Sequence, residues 1–286
     1  MKQFSYFTPA TLAEATEVAK GYGFDVSYLA GGTDLIVRLK NDHIHRPAII
    51  DLKKIDEIGK NISQKGDRVV IGALVTLSTL EENEWVKAHF PALREAVSTI
   101  GSVQIRNRAT LAGNICNASP AADSLPPLFI YGAEITLIAE HATRTIPIDE
   151  FVLGPGKNGL NQGEIVKSIS LPIPGEIQAA CYDRLTRRRG VDLATISVCC
   201  QVFNSGTVRF AVGAAAPVPF IVSDHSGTLT KAASGEDEKQ AMIQTLMQSA
   251  APIDDVRASK TYRQAMLTVL ARRTLGRAIV SLKNKR

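Results

Sequence analysis

With 286 residues, 45% of them hydrophobic and 21% charged, the chain can bury a large core and has the composition of one large or two ordinary globular domains. Its net charge of +5 is dispersed except at Arg187, Arg188 and Arg189 and at Lys283, Lys285 and Arg286; with no basic stripe and no stacking aromatics, a nucleic-acid binder is excluded. No apolar run reaches membrane-spanning length, and the opening MKQFSYFTPATLAEA is too polar for a signal peptide, so the expected compartment is the cytoplasm.

From the amino end, Thr8 and Pro9 followed by Leu12, Ala15, Val18 and Ala19 predict a capped amphipathic helix. Residues 27–30 predict a short strand running into Gly31-Gly32-Thr33-Asp34-Leu35. Consecutive glycines permit a tight bend whose N–H groups converge on an anion, and helical residues 35–40 would add their dipole. Two glycines before a threonine can also be a mere turn. The dinucleotide fingerprint GxGxxG is absent, which disfavours a Rossmann fold. Residues 48–52 and 68–73 predict buried strands, 76–83 a short capped helix, and 91–100 a helix with Leu93, Ala96, Val97 and Ile100 on one face and Gly101 closing it.

That helix leads into residues 106–127, RNRATLAGNICNASPAADSLPP. The stretch is too long and irregular for a hairpin turn and too poor in Lys and Glu for a solvated linker. Glycine and alanine let main-chain N–H groups approach a phosphate or a flat ring, while Thr110, Asn114, Asn117 and Ser119 supply directed hydrogen bonds. Asp123 has the chemistry to accept from ribose or ribityl hydroxyls. An ordered loop without a ligand is the plainer reading of such residues. The glycine-rich turn upstream complements this stretch and favours the ligand.

Residues 126–132 predict a buried segment, and 134–138, 143–148 and 164–172 predict strands, giving mixed α+β layers. Pro172-Ile173-Pro174-Gly175 reads as a linker that divides the chain into 1–174 and 175–286. Beyond it, 178–185, 194–203 and 207–214 predict strands, the last two joined as a hairpin across Asn204-Ser205-Gly206, and 236–250 and 259–282 predict helices. Tyr262, Met266, Val269, Leu270 and Arg273 recur there at helical spacing, a pattern of core packing rather than of a cofactor box. The four cysteines form no CxxC pair and the five histidines are scattered, so no iron–sulfur or other metal site is expected in this chain.

LAGGTDL at 29–35 and ATLAGNICNASPAADSLPP at 109–127 resemble, in order and spacing, the two FAD-binding motifs of the flavoprotein subunit of molybdenum hydroxylases, the xanthine dehydrogenase and carbon monoxide dehydrogenase family. The likeness extends to IGA at 71–73, RN at 106–107 and SxxYRxxM at 259–266. It implies a two-lobed α+β FAD-binding domain similar to vanillyl-alcohol oxidase flavoproteins, and a smaller carboxy-terminal domain with a three-stranded antiparallel sheet and helices. Carried over by position, Leu29, Ala30, Gly31, Gly32, Thr33 and Asp34 would line the FAD diphosphate, with Leu35 packed nearby. Ala109, Thr110, Gly113, Asn114 and Asn117 would meet the diphosphate and the ribityl–flavin region, Asp123 a hydroxyl-bearing part of the cofactor, and Ile169 completes the implied lining. Arg184 stands where the family has a lysine near the flavin, and a cation there would stabilise charge on the reduced ring. The bland reading of residues 182–192 is a charged strand end and loop. Ala109 and Ala112 replace glycines common in the family, which is harmless at negative φ and costly at positive φ.

The resemblance implies an electron-transferring FAD subunit that works with a [2Fe–2S] subunit and a molybdopterin subunit. A purine, another heterocycle, an aldehyde or carbon monoxide would be oxidised at molybdenum, and electrons would pass through FAD to NAD or another acceptor. The alternative is a free-standing FAD oxidoreductase of the same fold. That would need its own substrate base, and no His, Tyr or Glu is convincingly placed, so no catalytic residue is assigned.

Overall fold

The computed structural model describes residues 2–285. The chain opens with β1 (Ser5–Phe7), α1 (Leu12–Gly21), β2 (Val26–Leu29), α2 (Leu35–Lys40) and β3 (Ala48–Asp51). The strands form a three-stranded parallel sheet in the order β1-β3-β2, the small first lobe. Central β3 is buried along its whole length, and α1 covers the sheet with Leu12, Ala15 and Ala19. The N-cap of α1 is Thr11, whose hydroxyl accepts from the Glu14 amide at 3.2 Å, so the helix begins later than Thr8-Pro9 suggests.

The second lobe contains β4 (Ile62–Lys65), β5 (Arg68–Gly72), α3 (Leu77–Glu82), α4 (Glu84–His89), α5 (Pro91–Ser98), α6 (Val103–Arg106), α7 (Leu111–Cys116) and α8 (Leu125–Ile130). It continues through β6 (Glu134–Ala139), β7 (Ala142–Pro147), α9 (Ile148–Phe151), the small hairpin of β8 (Val152–Gly154) and β9 (Lys157–Asn158), and β10 (Ile165–Pro172). A five-stranded antiparallel sheet runs β4-β5-β10-β6-β7, with β10 at its centre. Residues 106–127, expected as one irregular stretch, therefore hold the whole of α7 and the start of α8. Pro126 is accommodated at the start of α8, where its missing N–H costs no helical hydrogen bond.

The third part is built from β11 (Gln178–Leu185), β12 (Ile196–Phe203), β13 (Val208–Gly213), β14 (Phe220–Asp224), α10 (Glu236–Met247) and α11 (Lys260–Lys283). Its antiparallel sheet has four strands in sequence order, not the expected three, because Phe220–Asp224 pairs with β13. The fourth strand lies at the edge and is half-buried along most of its length, so it lacks the continuous apolar run that marks β12. The two faces of the sheet belong to different cores. Ala179, Cys181, Cys200 and Phe210 pack with Leu267, Leu270, Ala271 and Leu275 of α11, while Ala180, Tyr182, Cys199 and Ala211 join the core of the second lobe. A sheet covered on both sides explains why the central parts of β11 to β13 are largely apolar on both faces. Among the described residues no helix is long and apolar enough to cross a membrane.

Candidate functional site

The turn after β2 carries the first half of the site. Gly32 sits at φ +77, a conformation that favours glycine. A Cβ on Gly31 would lie 2.0 Å from the Arg108 carbonyl oxygen and 3.0 Å from Ala109 Cα, so the first motif is packed directly against the backbone that opens the second. The two motifs, far apart in sequence, form one surface. Among the described residues, the amides of Gly31, Gly32, Thr33 and Asp34 donate to no other protein group. Four consecutive unpaired N–H groups on a glycine bend are a donor set suited to a diphosphate. That is the feature of this structure that fits FAD.

The second motif is organised by its own caps. Thr110 is the N-cap of α7 and its hydroxyl accepts from the Gly113 amide at 3.0 Å. That hydroxyl oxygen is thereby engaged in holding the turn, a role a reading of Thr110 as a ligand contact overlooks. The Ala109 carbonyl accepts from Leu77 N at 2.8 Å, tying the loop to the start of α3. Ala109 and Ala112 are absent from the positive-φ residues, so their methyl groups impose no backbone strain in place of glycine. Asn114 Oδ1 accepts from the buried Ser124 hydroxyl at 2.6 Å, which orients the side chain and leaves its Nδ2 group to donate elsewhere. Asn117 is exposed at the C-cap of α7, next to Ala118 at φ 45.

Asp123 and Arg184 meet, but not as two independent cofactor contacts. Arg184 Nη1 donates to Asp123 Oδ2 at 2.7 Å and to the Asp192 carbonyl at 3.1 Å, and Nη2 donates to the Thr99 carbonyl at 2.9 Å. The other Asp123 oxygen accepts a short hydrogen bond from the Tyr182 hydroxyl. Burial pushes the Asp123 carboxyl up, and the Arg184 guanidinium and Tyr182 hydroxyl act against that shift. Burial and the adjoining carboxylate push the Tyr182 phenol well above its ordinary range, so it remains a donor at neutral pH. Both carboxylate oxygens of Asp123 thus already serve protein donors, and Arg184 is held by three acceptors.

Tyr182 is the member of the Asp123–Arg184 cluster that the sequence reading did not single out. Strand alternation carries the signal: with Cys181 facing one core, Tyr182 and Arg184 share the opposite face, the side on which Asp123 lies. Ile169 is fully buried between Ile71 and Ile135 in the five-stranded sheet, beneath α7, so its side chain supports the site and presents no surface to a ligand. Leu29 is likewise 8% exposed and packs with Leu39 and Ile49 of the first lobe. Ala30, Thr33, Asp34 and Leu35 lie at the bend with at least part of each exposed. Cys116, within the second motif, has its thiol pushed up to about 12 by burial and supplies no thiolate near neutral pH.

A two-lobed α+β body with a glycine bend of unpaired amides, joined to a helix-backed antiparallel sheet, has the architecture of a flavoprotein of the FAD-binding subunit type. Residues 2–174 match the family model described as FAD binding domain in molybdopterin dehydrogenase, and residues 180–278 the one described as CO dehydrogenase flavoprotein C-terminal domain. The xanthine dehydrogenase FAD-binding subunit of Escherichia coli O157:H7 is 31% identical over 287 residues, 98% of each chain. The carbon monoxide dehydrogenase medium chain of Hydrogenophaga pseudoflava is 29% identical over 280 residues, 96% of this chain and 97% of that one. A solved carbon monoxide dehydrogenase from Hydrogenophaga pseudoflava, lacking the Mo-pyranopterin moiety, matches with a TM-score of 0.88 at 26% identity over 98% of both chains. The chain belongs to the FAD-binding, or medium, subunit family of molybdenum hydroxylases; it is an FAD-binding oxidoreductase subunit.

Proposed function

We propose that this chain is the electron-outlet subunit of a multi-subunit molybdenum hydroxylase, receiving electrons from [2Fe–2S] centres in a partner subunit and delivering them to NAD or another acceptor. The observation that carries this reading is the set of unpaired amides at residues 31–34, fixed against Arg108 and Ala109. They would hold the FAD diphosphate, with the Thr33 hydroxyl and Asn114 Nδ2 as further donors. Bound FAD supplies the exchange between one-electron and two-electron transfer, while the protein supplies position and electrostatics. Arg184, oriented by Asp123, the Asp192 carbonyl and the Thr99 carbonyl, would place a fixed positive charge beside the site. The relatives named for xanthine and for carbon monoxide dehydrogenation are alike along this whole chain, which supports a substrate site on a molybdopterin subunit rather than here.

The test uses the purified chain. It is expected to be yellow and to release FAD, not FMN, into the supernatant on acid precipitation. With FAD bound, NADH is expected to reduce an artificial dye and xanthine is not. FMN alone in the extract, or substrate hydroxylation by the isolated, metal-free chain, would overturn the reading.

A further inference from the structure

Away from the cofactor turn, an open groove of about 910 Å³ runs along one side of α11, floored by Cys181 of β11 and edged by Glu95 of α5 and Gln240 of α10. Val269, Arg272, Arg273, Gly276, Arg277 and Val280 line it at helical spacing. From Val269 to the end of the stripe at Asn284 the groove extends about 22 Å along the helix axis, at the usual rise of 1.5 Å per residue. Two of its arginines are engaged: Arg277 with Glu95 at 2.5 Å and Arg272 with Glu236 at 3.2 Å. The side chain of Arg273, also exposed, makes no ion pair or hydrogen bond among the described residues.

Two further features of the groove have no cause within the chain. Gly276 stands inside the 24-residue helix, where glycine is unfavourable relative to alanine, yet nothing lies within 4 Å of where its Cβ would be. No turn, bend or close neighbour in this chain requires glycine there. Val269, two helical turns before Gly276, and Val280, one turn after it, lie on the same stripe and are 39% and 60% exposed. A bare helix surface, exposed valines on either side of it and an unpaired cation together describe a seat for another polypeptide. Length and openness argue against a small-molecule pocket.

We infer that this groove docks an acidic segment of a partner subunit, whose backbone or small apolar side chain lies over Gly276 and whose carboxylate pairs with Arg273. The charge selects the occupant, since the groove offers an unmatched guanidinium on a chain of net charge +5. A second copy of this chain would bring its own surplus of positive charge to the same place. The inference rests on the proposed multi-subunit assembly. It adds where in this chain that contact is made.

The tagged full-length chain is purified from its native host with its bound subunits, which are identified by mass, and a photo-crosslinking residue is placed at Val280. Adducts are expected on a partner subunit, within a stretch rich in Asp and Glu. Arg273→Glu and Gly276→Leu are expected to lower the partner content of the purified complex more than tenfold with FAD content unchanged, and Arg273→Lys to retain most of it. Gly276→Ala is expected to raise Tm of the isolated chain by roughly 2 °C, because the glycine serves no fold of its own. Full assembly of Arg273→Glu and Gly276→Leu, or adducts confined to this chain or a second copy of it, overturns the docking inference while leaving the assembly reading intact. A wild-type chain that holds no partner overturns both.

Discussion

At the scale of single residues, the site depends on a missing methyl group. Gly31→Ala places a Cβ within 2.0 Å of the Arg108 carbonyl oxygen, both on backbone that cannot swing away as a side chain would. Separating the turn from the second motif should cost about 1–3 kcal/mol, the usual range for overpacking. FAD affinity is expected to fall at least tenfold with a lowered Tm, both read by flavin fluorescence titration and thermal unfolding. Gly175→Ala, with nothing within 4 Å of the added atom, should change neither. Asn114→Ala tests the second motif. It strands the Ser124 hydroxyl, which is fully buried, at a cost of about 1–3 kcal/mol, and removes the Nδ2 donor. A variant with wild-type stability and wild-type FAD affinity would show that the Asn114–Ser124 pair contributes to neither fold nor site. The residue types of both motifs are visible in the sequence, and LAGGTDL is read correctly as a bend at the carboxyl end of a strand. What the sequence does not display is which hydrogen-bonding groups are already used. Thr110 caps α7, and Asp123 serves Tyr182 and Arg184, although each residue type suits a direct ligand contact equally well.

At the scale of elements, the long helix α11 is pinned by charge as well as by its apolar face. Arg263, 2% exposed, donates to the Thr195 carbonyl at 2.9 Å, the Ala214 carbonyl at 3.2 Å and Asp255 Oδ1 at 2.5 Å. Burial acts to raise the Asp255 carboxyl, but hydrogen bonds from the Arg257 side chain and amide and from Arg263 outweigh it and hold it well below the usual carboxylate range. A depressed carboxyl contributes stability at pH values above its unfolded pKa of about 3.9, and loses that contribution as pH falls further. The slope of unfolding free energy below about pH 4 is therefore expected to be shallower in Asp255→Asn than in the wild type. At pH 7 that variant should lose about 3 kcal/mol, the low end for breaking a buried pair, because Asp255 is itself 20% exposed. Equal acid slopes in the two proteins, by denaturant titration, would remove Asp255 from this role. Elements with strong periodicity were legible: α5, β10, β12 and α11 all fall within a few residues of their expected positions. The short edge strand β14 and the helices inside 106–127 were not. Four half-buried residues and a buried aspartate after a proline pair give no alternation to read, and α7 is a six-residue helix set by its Thr110 cap and by the β10 packing beneath it.

At the scale of the whole molecule, the exposed residues 175–177 are the only covalent link between two halves that share much more than that link. Glu95 accepts from the Tyr182 amide at 2.7 Å and from Arg277, while Arg277 also donates to the Tyr182 carbonyl at 2.9 Å. Arg184 spans back to Asp123 and Thr99, and a Cβ on Gly213 would meet Pro126 at 2.8 Å, a measure of how closely β13 and α8 are fitted. Chain continuity at the linker is thus redundant with side-chain continuity across it. A protease recognition sequence placed after Gly175 should be cleaved in the native state, yet the two fragments should co-elute as one particle and keep their flavin. Only denaturant should part them, and mixing the denatured fragments should restore the yellow colour. In mechanical terms the linker is a tether whose tension is near zero: the seam beside Tyr182, and not the peptide bond, carries the load.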